Sequence, residues 1–278
     1  MLQFSSLADV PPEPSSPSVL VPTMGALHEG HAMLIRKARE VAGPNGSVMV
    51  SIFLNPLQFE SSADLTAYPQ TIEEDLLLCR GLGVDRVYTP SPSEFYADNH
   101  SISVVENSLS RFLCGANRPG HFEGVCTVIL KLFNSLRPSH AIFGKKDYQQ
   151  LAIIRRLVRD LSVPVELHGV ETAREADGLA LSSRNLTLRP EHRRDASRIY
   201  RALLTARDIR KTGEQRREIY LQTARTRLNE HSPPEMSIEY LELVNRETLA
   251  PVPKVTGPAL LATAVLYNEV RLIDNIEL

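Results

Sequence analysis

Apolar positions along the chain change period repeatedly, and the changes divide it into alternating strands and helices. The run 18–21, SVLV before Pro22, is short and continuous, as a buried strand requires. Over 29–42 the apolar residues Leu34, Ile35, Ala38 and Val41 recur at helical spacing. A second β-rich run, SVMVSIF, covers 47–53. A polar loop then leads to Tyr68-Pro69, and 71–82 is helix-like again. Segments 84–88 and 101–105 predict further strands. Beyond them, Val125, Val128, Ile129, Leu132 and Phe133 mark one face of a helix over 124–136. A short strand over 140–143, an amphipathic helix over 147–161 and a strand over 163–170 continue the alternation.

Strands alternating with helices predict right-handed βαβ crossovers and a parallel sheet. Ligands of such sheets sit at the carboxyl ends of the strands, near helix N-termini. After about residue 171 the composition shifts. Residues 190–230 form two charged helical stretches rich in Arg and Glu, and 237–244 and 259–266 read as strands. The expected fold is therefore α/β, with a larger domain over 1–172 and a smaller α+β domain over 173–278. The first seventeen residues are rich in Pro and Ser and are expected to be extended or mobile.

Composition narrows the partners. With 278 residues and 42% hydrophobic content the chain can bury a substantial core. Thirty-one Lys+Arg against 33 Asp+Glu leave a net charge of −2, which argues against a nucleic acid as the main partner. Cys79, Cys114 and Cys126 are an odd number without CxxC spacing, so neither a disulfide framework nor a cysteine zinc site is expected. No secretory signal is read at the start, and no apolar run approaches the roughly 20 residues of a membrane span. A soluble, cytoplasmic protein is the expectation.

The candidate chemistry lies where strands pass into helices. Pro22-Thr23-Met24-Gly25-Ala26-Leu27-His28-Glu29-Gly30-His31 joins the first strand to the first helix. One helical turn presents His28 and His31 on the same side. Gly25 and Gly30 allow a tight turn and close approach to a ligand. The helix N-terminus offers free N–H groups to phosphate, and two imidazoles can donate to charge developing on an α-phosphate.

Phe143-Gly144-Lys145-Lys146-Asp147-Tyr148-Gln149-Gln150 again follows a strand and opens a helix. It places lysines where a phosphate cation belongs. Asp177-Gly178-Leu179-Ala180-Leu181-Ser182-Ser183-Arg184-Asn185 sets paired serines before an arginine, a compact donor cluster for phosphate oxygens. Asn55-Pro56-Leu57-Gln58-Phe59 brings Gln58 to the same carboxyl edge. Cys114-Gly115-Ala116-Asn117-Arg118-Pro119-Gly120-His121-Phe122 is a stiffened loop before a helix. Cys114 and Cys126 read as small buried residues rather than nucleophiles.

Together PTMGALHEGH, NPLQF, CGANRPGHFEGV, FGKKDYQQL, DGLALSSRN and the terminal RLIDN resemble the pantothenate synthetase family, in its order and at its approximate spacing, over about 20–278. The resemblance implies a Rossmann-like nucleotidyltransferase domain, a smaller C-terminal domain closing over the site, and a homodimer. It implies that pantoate, ATP and β-alanine give pantothenate, AMP and pyrophosphate with Mg²⁺, through a pantoyl-adenylate. It also implies roles for residues. His28, His31, Lys146 and Arg184 would be catalytic, with His31 as proton donor. ATP would be bound by Met24, Gly25, Ala26, Leu27, His28, Glu29, Gly30 and His31, by Gly144, Lys145, Lys146 and Asp147, and by Ala173, Leu181, Ser182, Ser183 and Arg184. Gln58 and Gln150 match the pair that holds pantoate, and Asp75 is the Mg²⁺ candidate.

The chain departs from the family pattern in places. Lys145 stands where Glu is common, Gln70 where Arg is common and Leu181 where Met is usual. A glycine often found before RLIDN is missing, and a short Pro/Ser tail replaces a longer N-terminal segment. The alternatives are another nucleotidyltransferase of the superfamily, with a phosphorylated acceptor, and a catalytically inactive nucleotide-binding relative. An RNA-charging enzyme is disfavoured by the balanced charge.

Overall fold

The computed structural model describes residues 1–9, 17–59 and 61–278, and these fall into two compact units. The first comprises 1–106, 118–145 and 150–171; the second comprises 107–117, 146–149 and 172–278.

A six-stranded parallel sheet organises the first unit. Its strands are β1 (Leu2–Phe4), β2 (Ser18–Thr23), β3 (Ser47–Ile52), β4 (Arg86–Tyr88), β5 (His140–Gly144) and β6 (Glu166–Val170), in the order β1-β4-β3-β2-β5-β6. The chain moves outward from β2 through β3 to β4, then returns to the other side of β2 for β5 and β6. The order thus reverses between β2 and β5, the place where ligands of open α/β sheets bind. Helices α1 (Glu29–Ala42), α2 (Ser62–Ala67), α3 (Ile72–Gly81) and α4 (Pro92–Phe95) lie in the first half of the chain. Val19, Val21, Val48, Val50 and Ile142 of the strands pack with Ile35 and Ala38 of α1 and Cys79 of α3. Continuous apolar strands are what a sheet covered on both faces needs.

Helix α5 (Leu113–Asn117) belongs to the second unit. It is followed by α6 (His121–Leu136) of the first, and α7 (Tyr148–Asp160) follows β5. The second unit continues through α8 (Pro190–Asp195), α9 (Arg198–Asp208) and α10 (Arg217–Asn229). It ends in an antiparallel sheet of β7 (Met236–Asn245), β8 (Ala259–Tyr267) and β9 (Val270–Glu277). Its core joins Ile199, Leu203, Tyr220 and Leu228 of the helices to Leu243, Leu261 and Val265 of the sheet.

Several expectations are corrected. Residues 101–105 are not a strand. Ile102 and Val105 are exposed, and the segment contributes the Val104 N–H to Thr127 Oγ1 at 3.0 Å rather than to a ladder. The run 163–170 enters the sheet only at Glu166, because Pro164 has no N–H to give a neighbouring strand. Within the N-terminal seventeen, Leu2–Phe4 pairs in register with Arg86–Tyr88 as an edge strand. The PPEPSS stretch of that tail lies outside the described residues. The helix expected from 147 begins at Tyr148, after a 3₁₀ turn over Lys145–Asp147. Among the described residues, no helix is long and apolar enough to cross a membrane.

Candidate active site

The first unit builds its site on the loop between β2 and α1. Gly25 (φ 90°) and Ala26 (φ 49°) both take the left-handed region, which reverses the chain after Thr23. For Ala26 that conformation costs on the order of 1 kcal/mol. A Cβ on Gly25 would meet Asp75 Oδ2 at 3.1 Å and Ile52 Cγ2 at 3.2 Å, so only glycine fits there without movement.

Asp75 of α3 holds the turn in place. Its Oδ2 accepts from Ala26 N–H at 2.9 Å, and its Oδ1 accepts from Leu27 N–H at 2.7 Å and Thr71 Oγ1 at 3.1 Å. Asp75 is 2% exposed. Three donors on a buried carboxylate restore the solvation it lost and offset the strain of the loop.

Helix α1 then begins with reciprocal caps made by histidines. His28 Nδ1 accepts from Gly30 N–H at 3.1 Å, and His31 Nδ1 accepts from His28 N–H at 3.2 Å. This is the arrangement of a capping box with imidazoles in place of the usual hydroxyl and carboxylate. A ring nitrogen that accepts carries no proton, so in each neutral ring the proton sits on Nε2. The ring centroids are 4.2 Å apart. Both imidazoles are thereby Nε2–H donors with their orientation set by the backbone. Glu29, first residue of the helix, is paired with Arg36, which lowers its carboxyl pKa.

Gln58 is brought to the same loop. Its Nε2 contacts Met24 Sδ at 2.7 Å, and its Oε1 accepts from Asn55 Nδ2 at 3.1 Å. Asn55 is buried and holds several segments together: its Oδ1 accepts from Tyr96 Oη at 2.9 Å, and its Nδ2 also donates to Gly124 O at 3.1 Å. His121 Nδ1 lies 2.8 Å from Gln58 O. At Gly124 a Cβ would fall 2.3 Å from Leu57 O, which is why α6 can lie directly on NPLQF. Gln150 is half-buried on α7. Its neighbour Gln149, in the second unit, has a different duty: it donates to Leu109 O and Phe112 O and accepts from Cys114 N–H. Gly144 ends β5, and Lys145 pairs with Glu171.

The second unit holds the remaining predicted residues. Leu181 N–H donates to Ala173 O at 2.9 Å, closing a hairpin-like loop whose tip is Gly178 (φ 94°). Ser182 caps the 3₁₀ turn Ser183–Thr187 by accepting from Arg184 N–H at 3.3 Å. Ser183 is buried and Arg184 half-buried. Lys146 Nζ lies 3.8 Å from Asp147 Oδ2, and the Lys146 carbonyl accepts from Asn275 Nδ2 at 2.9 Å. Lys146, Ser182 and Asn185 line a cavity of about 10 Å³ together with Asp274.

Sequence reasoning missed the support of this loop. Arg174 forks onto Asp274 with contacts of 2.7 and 2.9 Å, donates to Gly178 O and stacks on Tyr200, 3.5 Å from the ring centroid. Burial pushes the Asp274 carboxyl up, and Arg174 pulls it back. Asp274 and Asn275 are the last two residues of RLIDN, so the signal was in the motif, but its pairing with Arg174 was not.

Comparison with known proteins decides the family. The family model described as pantoate–beta-alanine ligase matches residues 8–277. The chain belongs to the pantoate–beta-alanine ligase family. A pantothenate synthetase of Akkermansia muciniphila is 54% identical over 266 residues, covering 94% of this chain and 92% of that protein. Among ligases of known structure, pantothenate synthetase from Thermus thermophilus superposes with a TM-score of 0.94 at 42% identity and 99% coverage of both chains. Pantoate–beta-alanine ligase from Francisella tularensis, complexed with beta-gamma ATP and beta-alanine, gives a TM-score of 0.80 at 30% identity, covering 99% of this chain and 97% of that one.

Proposed function

We propose that this ligase-family chain condenses pantoate with β-alanine at the expense of ATP, through a pantoyl-adenylate, releasing AMP and pyrophosphate. The observation that carries the reading is the pair of Nε2–H donors at the N-terminus of α1. Attack of a carboxylate on an α-phosphate brings two anions together, so it needs fixed donors and positive charge where charge accumulates. His28 and His31 supply neutral donors that need no reorientation, and His31 stabilises the charge on the leaving pyrophosphate by hydrogen bonding from Nε2–H, keeping its one proton. The N-terminus of α1 adds the positive end of the helix dipole.

Met24, Gly25, Ala26 and Leu27 shape the nucleotide loop, with Gly144, Lys145, Asp147, Ala173 and Leu181 as further nucleotide contacts. Lys146 and Arg184 are the phosphate cations, and Ser182 and Ser183 the hydroxyl donors. Gln58 and Gln150 hold pantoate by its hydroxyl and carboxylate oxygens. The amide of Gln58 is already positioned from behind by Asn55, which suits recognition by a fixed donor.

Asp75 does not fit as a direct Mg²⁺ ligand. Oδ1 already accepts two hydrogen bonds, Oδ2 accepts one, and the side chain is buried, whereas Mg²⁺ keeps several waters in an open octahedral shell. Its proposed role is the brace of the loop. The homodimer and the cytoplasmic setting implied by the family resemblance belong to the same reading, and light scattering tests the first.

Pyrophosphate release from ATP and Mg²⁺ is the deciding assay. Release that requires pantoate, with continuous turnover that requires β-alanine, is the expected result. A folded, ATP-binding protein indifferent to pantoate would leave only an unassigned nucleotidyltransferase.

A further inference from the structure

A second cluster of chemically capable side chains lies at the edge of the parallel sheet in the first unit. His140 opens β5, while Glu166 and His168 stand on β6, the outermost strand. The parallel register pairs His140 with Glu166 and Ile142 with His168. Side chains of a strand alternate between faces, so all three residues share one face of the sheet. His140 Nδ1 and His168 Nε2 approach to 3.1 Å. The two oxygens of Glu166 lie 3.7 Å from His140 Nδ1 and 3.6 Å from His168 Nε2 respectively. One ligand atom from each residue falls within 4.8 Å of the other two.

Those separations have a meaning in coordination chemistry. Bonds of about 2.0–2.1 Å at tetrahedral angles place ligand atoms roughly 3.3–3.4 Å apart. The two nitrogens lie close to that value, and rotation of the exposed Glu166 side chain brings one of its oxygens, now within 4.8 Å of both, into the set. The imidazoles are held by the sheet, with side chains 21% and 22% exposed, while Glu166 is 68% exposed and stands at the mouth. Two neutral nitrogens and one carboxylate oxygen suit zinc or cobalt and leave a fourth position for water. Mg²⁺ and Ca²⁺ prefer oxygen alone.

We propose that His140, Glu166 and His168 bind one divalent transition-metal ion of the zinc type, clamping β5 to β6. The site is separate from the nucleotide chemistry. His140 begins β5 and Gly144 ends it, which at about 3.3 Å per residue is some 13 Å along the strand. The ion joins two strands of the folded protein at residues far apart in sequence, so it favours the native state and raises the melting temperature.

Cobalt alone is the probe, titrated into the full chain without nucleotide or Mg²⁺ and read by its tetrahedral ligand-field absorption, with zinc as competitor. The expected result is a band reaching one equivalent, displaced by zinc, and accompanied by a higher melting temperature. H140N and H168N should lose it, and E166Q should weaken binding by about tenfold or more. The double variant H28N/H31N should keep it, which separates this site from the other histidine pair. No band in the wild type, or a band unchanged in H168N, overturns the proposal. Should H168N fail to fold, the exposed substitution E166Q decides: unchanged cobalt affinity there is equally fatal.

Discussion

Asp75 Oδ1 accepts the Leu27 N–H at 2.7 Å across 48 residues of sequence, and through that bond α3 dictates the shape of the loop that starts α1. Replacing Asp75 with Ala strands two backbone N–H groups, that of buried Ala26 and that of half-buried Leu27. The loss should be about 2–6 kcal/mol of stability, at 1–3 kcal/mol for each unsatisfied donor. Asp75→Asn keeps one acceptor and should fall between wild type and Ala. Urea unfolding followed by circular dichroism measures both. ATP affinity should decline in the same order, because the loop loses its brace.

His31→Asn separates two duties of one ring. The Asn side-chain oxygen can take over the acceptance from His28 N–H, so stability should stay within about 1 kcal/mol of wild type. No donor reaches the position of Nε2, however, and pyrophosphate release should fall by roughly 10²–10³. A variant with full activity and unchanged stability would remove His31 from the chemistry.

Gly124→Ala tests the seat of NPLQF. The added methyl meets Leu57 O at 2.3 Å, so α6 or the Pro56–Gln58 turn must retreat. A stability loss of about 1–3 kcal/mol is expected from overpacking. Because Gln58 moves with the turn, KM for pantoate should rise more than kcat falls in steady-state assays.

Glu214 governs part of the acid limb. Hydrogen bonds from the Arg216 side chain and backbone hold its carboxyl down at about 2, against an ordinary 4.5. A depressed carboxylate contributes stability above its unfolded pKa and loses that contribution as pH falls toward the folded value. Thermal melts of wild type and E214Q should therefore differ near neutrality and converge between about pH 4.5 and 2. Parallel curves over that window would contradict the pairing.

Cys79 and Cys126 should resist thiol reagents at about pH 8 in the native protein. Burial pushes each thiol up to about 12, with Asp75 adding to the effect at Cys79 and Glu106 at Cys126. Thiolate is the reactive form, so labelling with a chromogenic disulfide should await unfolding. Mass spectrometry of the labelled peptides distinguishes these two from Cys114.

The parts of this architecture that were legible in the sequence share a cause. Helix 29–42 and strands 18–23 and 47–52 carry their own periodicity, and local chemistry was enough to read them. The strand expected at 101–105 failed because β-propensity says nothing about whether a neighbour is available. Leu2–Phe4 was missed for the opposite reason: three residues have no period, and β4 alone makes them a strand. At the site, HxGH and SSRN stand out as local patterns, whereas the hydrogen bonds of Asp75 do not, because spacing does not show where a carboxylate points. Its bonds to Ala26 and Leu27 are long-range, as is the fork of Arg174 on Asp274, and neither leaves a local trace.

The histidine caps of α1 have a last consequence. In water the proton of a neutral imidazole is shared between two nitrogens, and a hydrogen bond to one of them selects the tautomer. Here the choice is made by helix initiation: the backbone N–H groups of His28 and Gly30 occupy both Nδ1 atoms as soon as the first turn forms. Tautomer selection is thus a folding event, completed before any nucleotide arrives.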